Sequence, residues 1–345
     1  MKRLLLVAAS AAALAAVPAA AAEGHHDHGP KPGRESTIAV IGDIPYGPAL
    51  ISEFPQDVQE LNADPDVSRV IHLGDIKDGS SRCDTTYFQA RLADFEAFDD
   101  PFVYTPGDNE WTDCHRANNG GYVPTERLDT LRKLFFSRPG RTLGRHAAKV
   151  GYQSRAYPEN VSWTDDDVVF GTVHVVGSND DQDAWFGDRK DAAGNPAPET
   201  RAESALRARE YTRREAATLD WVDAIFDQAE RTHAPGVVIG MQADMWSGSA
   251  ASSPAFAAVK AVLAERTEHF GKPVLLLEGD SHLLTIDKPA GQPANLTRIV
   301  VQGSTNVPHE WTKLTVNPSR PGVFSCQTVE FVTKKVTACP APLAP

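Results

Sequence analysis

The segment VLLLEGDSHLL, residues 274–284, decides how this chain is read. An unbroken aliphatic run suits a strand buried on both faces, and here it stops at Gly279-Asp280. The same event recurs where IAVIGD ends at Asp43, VIHLGD at Asp75 and FVYTPGD at Asp108. A glycine at such a point lets the backbone turn tightly and lets another group approach closely. In α/β sheets, ligand groups collect on the loops beyond the carboxyl ends of the strands. Gly187-Asp188, in WFGDRKDAAG, is a further pair without a strand-like run before it, and it reads as a turn.

Working outward, the first three apolar runs are separated by the helix-like stretches EFPQDVQELNA (53–63) and TTYFQARLADFEAF (85–98). Strand alternating with helix favours a parallel sheet with helices packed on it. A second group of strand-like runs follows at 168–177, 236–242, 273–280, 297–303 and 323–332. Between them, residues 199–232 carry Leu219, Val222, Phe226 and Ala229 at helical spacing with charges opposite, which predicts a helix lying on a sheet. Two sheets covered by helices accommodate this number of strands.

Residues 1–22 combine Lys2-Arg3, a short apolar run and small residues before Glu23, the pattern of a secretory signal peptide. No other apolar stretch approaches the roughly 20 residues of a spanning helix. Residues 23–36, rich in His, Gly and Pro, read as a solvated leader, and 37–340 as one domain. The expected location is therefore secreted or periplasmic. The net charge of −12 disfavours non-specific nucleic-acid binding, because phosphate backbones are held by Lys and Arg. No motif implies a partner protein. In an exported chain, Cys83, Cys114, Cys326 and Cys339 point to two disulfides. The pairing 83–114 with 326–339 is preferred, out of the three connectivities that four cysteines allow.

If the strand ends share one edge, Asp43, Asp75, Asp108 and Asp280 converge. Four adjacent carboxylates cannot all stay ionised without a cation, so one or two divalent metals are expected. The loops are GDIPY (42–46), GDIKDGSSRC (74–83), GDNEWTDC (107–114), GMQADMW (240–246) and GDSH (279–282). Their order resembles the calcineurin-like metallophosphoesterases, the superfamily that includes the purple acid phosphatases. That family's pattern runs Asp-x-His, Gly-Asp-x-x-Asp, Gly-Asn-His-Asp/Glu, a lone His after a strand, and Gly-His-x-His. The second station is the one nearly intact here.

The resemblance implies a four-layer α/β/β/α sandwich of two mixed sheets, of the metallo-dependent phosphatase type. It also implies that Asp43 and His282 hold one metal, that Asp75 bridges two, and that Asp108, Gln242 and Asp280 complete the second site. Pro45 replaces a ligand His, and Asn109 stands where the family has its catalytic His. An all-oxygen second site suits Mg, Ca or Mn, whereas the His-containing first site admits Mn, Fe or Zn. The implied reaction is hydrolysis of phosphate mono- or diesters by a metal-activated water, on a small substrate. Asn109 can hydrogen-bond a phosphate oxygen but cannot deliver a proton, and His115 is the nearest alternative acid in sequence. Asp78 and Glu110 are candidates for orienting the ligands from behind, with capping or loop solvation as the alternative. The two lost histidines also motivate a second reading, a non-catalytic metal-binding protein that keeps the fold. A serine hydrolase is disfavoured, because no Gly-x-Ser-x-Gly elbow is present.

Plainer roles are expected elsewhere. His72 and His174 fall inside strand patterns and read as core histidines. Residues 177–185, GSNDDQDAW, follow a strand and read as an acidic surface loop, with lining of the cleft as the alternative. Trp111, Trp246 and Trp311 either pack under the loops or wall a pocket. The stretch 307–314, VPHEWTKL, receives no role.

Overall fold

Successive side chains of a strand point to opposite faces, and this alternation builds the molecule. A computed structural model describes residues 35–339 and Leu343. Strands β1 (Ser36–Ile41), β2 (Val67–His72) and β3 (Phe102–Tyr104) run parallel, with Val40 beside Ile71 and Ile71 beside Val103. On the other side of β1 lie β11 (Glu310–Val316), β12 (Phe324–Glu330) and β13 (Val336–Ala338), all antiparallel, giving the order β13-β12-β11-β1-β2-β3. The second sheet contains β4 (Gly151–Tyr152), β5 (Val161–Asp165), β6 (Val168–Thr172), β7 (Val237–Gly240), β8 (Val274–Glu278), β9 (Thr285–Asp287) and β10 (Leu296–Val300). Its order is β4-β5-β6-β7-β8-β10-β9, and β6, β7, β8 and β10 are mutually parallel.

Ile38, Val40, Ile71 and Val103 of the first sheet meet Val238, Leu275, Leu277 and Ile299 of the second in one apolar cluster. The opposite faces carry the helices. Ala39, Ile41 and Val70 pack with Phe54, Val58, Phe88 and Leu131, from helices Gly47–Asn62, Thr85–Phe95 and Pro124–Phe135. Val237, Val274 and Leu276 pack with Val222, Phe226, Val259 and Leu263, from helices Arg201–Arg231 and Ala257–Phe270. The layers are therefore α/β/β/α, the expected architecture.

The elements differ from their sequence expectations at particular points. The first helix begins at Gly47 rather than Glu53, because Pro48 in its first turn needs no amide partner there. The long helix follows a capping box in which the Thr200 hydroxyl accepts from Glu203 N–H and the Glu203 carboxylate accepts from Thr200 N–H. Strand β11 had no counterpart in the sequence reading, where 307–314 received no role. It is made by pairing on both sides, with β1 and with β12.

The disulfides are Cys83–Cys114 and Cys326–Cys339. The first ties the loop after β2 to the loop after β3. Among the described residues no helix is long and apolar enough to cross a membrane. The proposed signal peptide, and the leader up to residue 34, lie outside the described residues.

Candidate metal centre

Each ligand-bearing loop begins where a buried strand ends, and the chain bends there at once. Asp43, Asp75, Asp280 and His282 all adopt left-handed backbone, with φ of 56, 58, 67 and 63°. Such conformations in residues other than glycine cost of order 1–3 kcal/mol each and persist where the surroundings over-determine them. Flanking glycines make the space. A Cβ at Gly107 would lie 2.1 Å from Asp75 Oδ1, one at Gly177 2.4 Å from Asp280 Oδ1, and one at Gly279 2.6 Å from Asp43 Oδ2.

Two clusters result, and they share a member. Ligand atoms of Asp43, Asp75 and His282 lie within 4.8 Å of one another, as do those of Asp75, Asp108 and Asp280. Asp43 accepts from Asp280 N–H at 3.0 and 3.1 Å, and its Oδ1 lies 3.3 Å from His282 Nε2. His282 Nδ1 is 2.6 Å from the Thr305 hydroxyl, which orients the ring. Burial raises the carboxyl pKa of Asp43, Asp75 and Asp280, and for Asp75 and Asp280 the charge of Asp108 is the next largest cause. Buried, mutually repelling carboxylates in glycine-lined space form a donor set that fits divalent cations.

A layer of buried polar groups holds the loops. Glu110 Oε1 accepts from Asp75 N–H, Gly107 N–H and the Tyr104 hydroxyl, and Oε2 from Ile76 N–H. Burial pushes its pKa up to about 7. His72 accepts from Gly74 N–H at Nδ1, so Nε2 carries the proton donated to the Ile44 carbonyl at 2.9 Å. It thus braces the Asp43 and Asp75 loops together. Lys77 is fully buried and donates to the carbonyls of Asp78 and Asn109.

Several site expectations meet different geometry. Gln242 does not offer oxygen to the second cluster. Its Oε1 accepts from Gly177 N–H at 2.6 Å, which turns Nε2 toward Asp108 Oδ1 and Asp280 Oδ1 at 3.1 and 3.2 Å. The backbone donor forbids the flipped amide, because two donors would then face each other. The Asn109 amide is engaged by Asp75 Oδ2 at 2.6 Å and by the Tyr46 hydroxyl at 3.1 Å, rather than left free for a phosphate. His115 turns to the segment after residue 180, where its Nδ1 accepts from Phe186 N–H. Asp78 binds its own loop through Ser80 and Ser81, which hold its carboxyl down to about 2 against the opposing effect of burial.

Two residues join the site without a sequence signal that singled them out. Tyr46, the last residue of GDIPY, donates its hydroxyl to Asp75 Oδ2 at 3.0 Å and lies 3.4 Å from His282 Nε2. Arg116 lines the cavity of about 580 Å³ over the clusters and pairs with Asp113 at 2.7 Å. Its place after the Asp108 loop was the available hint. The stretch 177–185 is not a plain surface loop, since Ser178 borders this cavity. Trp111 and Trp311 are buried packing residues, and Trp246 donates to the Ala290 carbonyl.

The profile of the calcineurin-like phosphoesterases matches residues 36–226. GAP50, the anchor in the inner membrane complex of Plasmodium, has a similar structure at 9% identity, with 88% of each chain covered and a TM-score of 0.49. Purple acid phosphatase PPD1 from yellow lupin (Lupinus luteus) seeds is similar at 12% identity and a TM-score of 0.49. That match covers 90% of this chain, which spans 54% of the lupin chain. No curated protein matches the sequence. With more than half its length matched by the profile and two mixed sheets between helical layers, the chain belongs to the calcineurin-like phosphoesterase family.

Proposed function

We propose that this protein is an exported, metal-dependent phosphoesterase acting on small phosphate mono- or diesters. The reading includes a signal peptide at 1–22, a leader at 23–36 and one domain over 37–340. The observation that carries it is the pair of ligand clusters that share Asp75. Asp43 and His282 would hold one divalent ion with Asp75, while Asp108 and Asp280 would hold the other with the same bridging carboxylate. Two such ions supply a water of lowered pKa and Lewis-acid polarisation of the phosphoryl group.

The protein's own groups do the rest. The left-handed turns aim the carboxylates inward, and Glu110 and His72 hold those turns in register. Tyr46 and Asn109 fix the second oxygen of Asp75. Arg116 is the one lysine or arginine lining the cavity among the described residues, and it is placed to take a non-bridging phosphate oxygen. With Asn109 engaged and His115 turned elsewhere, the expected substrates are esters with acidic leaving groups, or others whose leaving oxygen takes its proton from another acid. The donor sets favour Mn, Fe or Zn beside His282 and Mg, Ca or Mn between the carboxylates. Two disulfides accord with an oxidising compartment, either secreted or periplasmic.

Elemental analysis of wild type and Asp75→Asn, paired with phosphate release from p-nitrophenyl phosphate, tests this reading. The expected result is two metal equivalents and turnover in the wild type, with both falling sharply in the variant. Metal content and turnover unchanged by the substitution would overturn the shared-ligand site. One metal equivalent with thermal stabilisation and no turnover would instead favour the non-catalytic reading, which the replaced histidines motivate.

A further inference from the structure

Beside the metal centre lies a second cavity of about 460 Å³, within the roughly 300–1,000 Å³ range of small-molecule pockets. Asp280 and Ser178 border both cavities, so the second opens directly off the proposed reaction centre. Its wall is rich in serine, with Ser247, Ser249 and Ser281 beside Ser178 and Ser253, whose hydroxyls already donate to Asp113 and Asn179. The single aromatic ring in the wall is Phe256, and no lysine or arginine lines it among the described residues. Of its carboxylates besides Asp280, Asp244 is paired with Arg298 at 2.5 Å and Asp183 accepts from Asn179 Nδ2 at 3.0 Å.

The partition between the cavities is an unusual piece of backbone. Ser178, Asn179, Asp180 and Asp181 take φ of 46, 57, 53 and 66°, four consecutive left-handed residues without a glycine. Chirality disfavours such a turn at every residue, so it must be held from outside. Buried Arg214 donates to Asp180 Oδ1 at 2.5 Å and to the Asp180 carbonyl at 2.9 Å. Trp185 Nε1 donates to Asp181 Oδ1 at 2.7 Å, and the Ser253 hydroxyl donates to Asn179 Oδ1. The turn is thereby clamped with Ser178 facing the metal side and Asn179 on the wall of the second cavity.

We infer that this second cavity receives the alcohol portion of the substrate, and that the preferred class is a phosphate ester of a polyhydroxylated alcohol such as a sugar. The inference rests on the phosphoesterase reading and adds the leaving-group side to it. Serine hydroxyls both donate and accept, which matches a polyol. A second phosphate would find no cation in the wall, and a quaternary ammonium would find no aromatic cage.

The experiment uses the mature chain with Mn²⁺ supplied, comparing wild type with Ser247→Ala/Ser249→Ala. Both serines are exposed and stand outside the ligand clusters, so folding and the reaction centre are left intact. Glucose 6-phosphate, phosphocholine and p-nitrophenyl phosphate are the probes, read as kcat/KM and, by calorimetry, as Kd. We expect glucose 6-phosphate to be preferred over phosphocholine. The double variant should lose about tenfold in kcat/KM and in Kd for glucose 6-phosphate, as the loss of two hydrogen bonds predicts, with p-nitrophenyl phosphate hydrolysis unchanged. A preference for phosphocholine, or equal glucose 6-phosphate values in wild type and variant, would overturn the inference. Weakened glucose 6-phosphate binding in a protein that turns over none of the probes would support the cavity while rejecting the phosphoesterase reading.

Discussion

At the scale of single residues, Asn109 illustrates how position changes meaning. Its amide holds Asp75 Oδ2 and the Tyr46 hydroxyl, so it steadies from behind the carboxylate proposed as the shared ligand. Asn109→Ala is expected to weaken metal binding by about 10- to 100-fold, as is typical when a group orienting a ligand is removed. Competition with a chromogenic chelator measures this, and an unchanged affinity would rule the role out. His72 offers a second test. Burial lowers its pKa from 6.5 to about 4, against the raising effect of its bond to Ile44. The folded state therefore keeps His72 neutral where the unfolded chain has already taken up a proton. This contribution is complete above pH 6.5 and is lost as pH falls from 6.5 toward 4, amounting to about 3 kcal/mol. Urea unfolding across that interval should show a shallower pH slope for His72→Leu than for wild type. Equal slopes would mean that the imidazole does not govern it. The strand-end aspartates were legible in the sequence because an aliphatic run followed by Gly-Asp is a local pattern. Tyr46 and Arg116 were not, since a lone tyrosine or arginine acquires its role only from what lies 3 Å away.

At the scale of elements, the turn 178–181 is the clearest case of structure imposed from outside. Arg214, fully buried on the long helix, also pairs with Glu210 at 2.9 Å. Removing one partner of a buried ion pair typically costs about 3–5 kcal/mol, because a charge is left uncompensated. Arg214→Met should show a loss of that size in urea unfolding, together with lower activity, since the turn borders the metal centre. Stability within about 0.5 kcal/mol of wild type would mean the turn holds itself. The helix itself was readable from Leu219, Val222, Phe226 and Ala229, because a 3.6-residue period is carried by neighbours in the chain. Strand β11 was less so. Its partners β1 and β12 flank it in space, and β1 lies some 270 residues away along the chain.

At the scale of the whole molecule, the two sheets bring the carboxylates of Asp43, Asp75, Asp108 and Asp280 together at one edge, and ligand-free repulsion among them opposes folding. A bound ion at a free concentration about a hundred times its Kd adds about 2.7 kcal/mol to stability. Chelation should therefore lower Tm, and adding back Mn²⁺ should restore it. A melting curve indifferent to both would remove metal binding from the account. The same packing explains the aromatic and histidine assignments. Trp111 lies 5.3 Å from the ring of His174, whose Nδ1 contacts Glu159, so these groups serve the interior rather than the cavity.

What the sequence determined by itself was the class of fold, the positions where strands end in carboxylates, the long amphipathic helix and the cysteine pairs worth considering. All of these are written in spacing along the chain, where covalent neighbours enforce the period. The tertiary structure decided which way Gln242 turns its amide, that Asn109 serves Asp75, that His115 leaves the site, and that residues 178–181 wall a second cavity. These depend on single hydrogen bonds between loops distant in sequence. A backbone amide such as that of Gly177 settles the orientation of Gln242 only after β6 and β7 have paired within the second sheet.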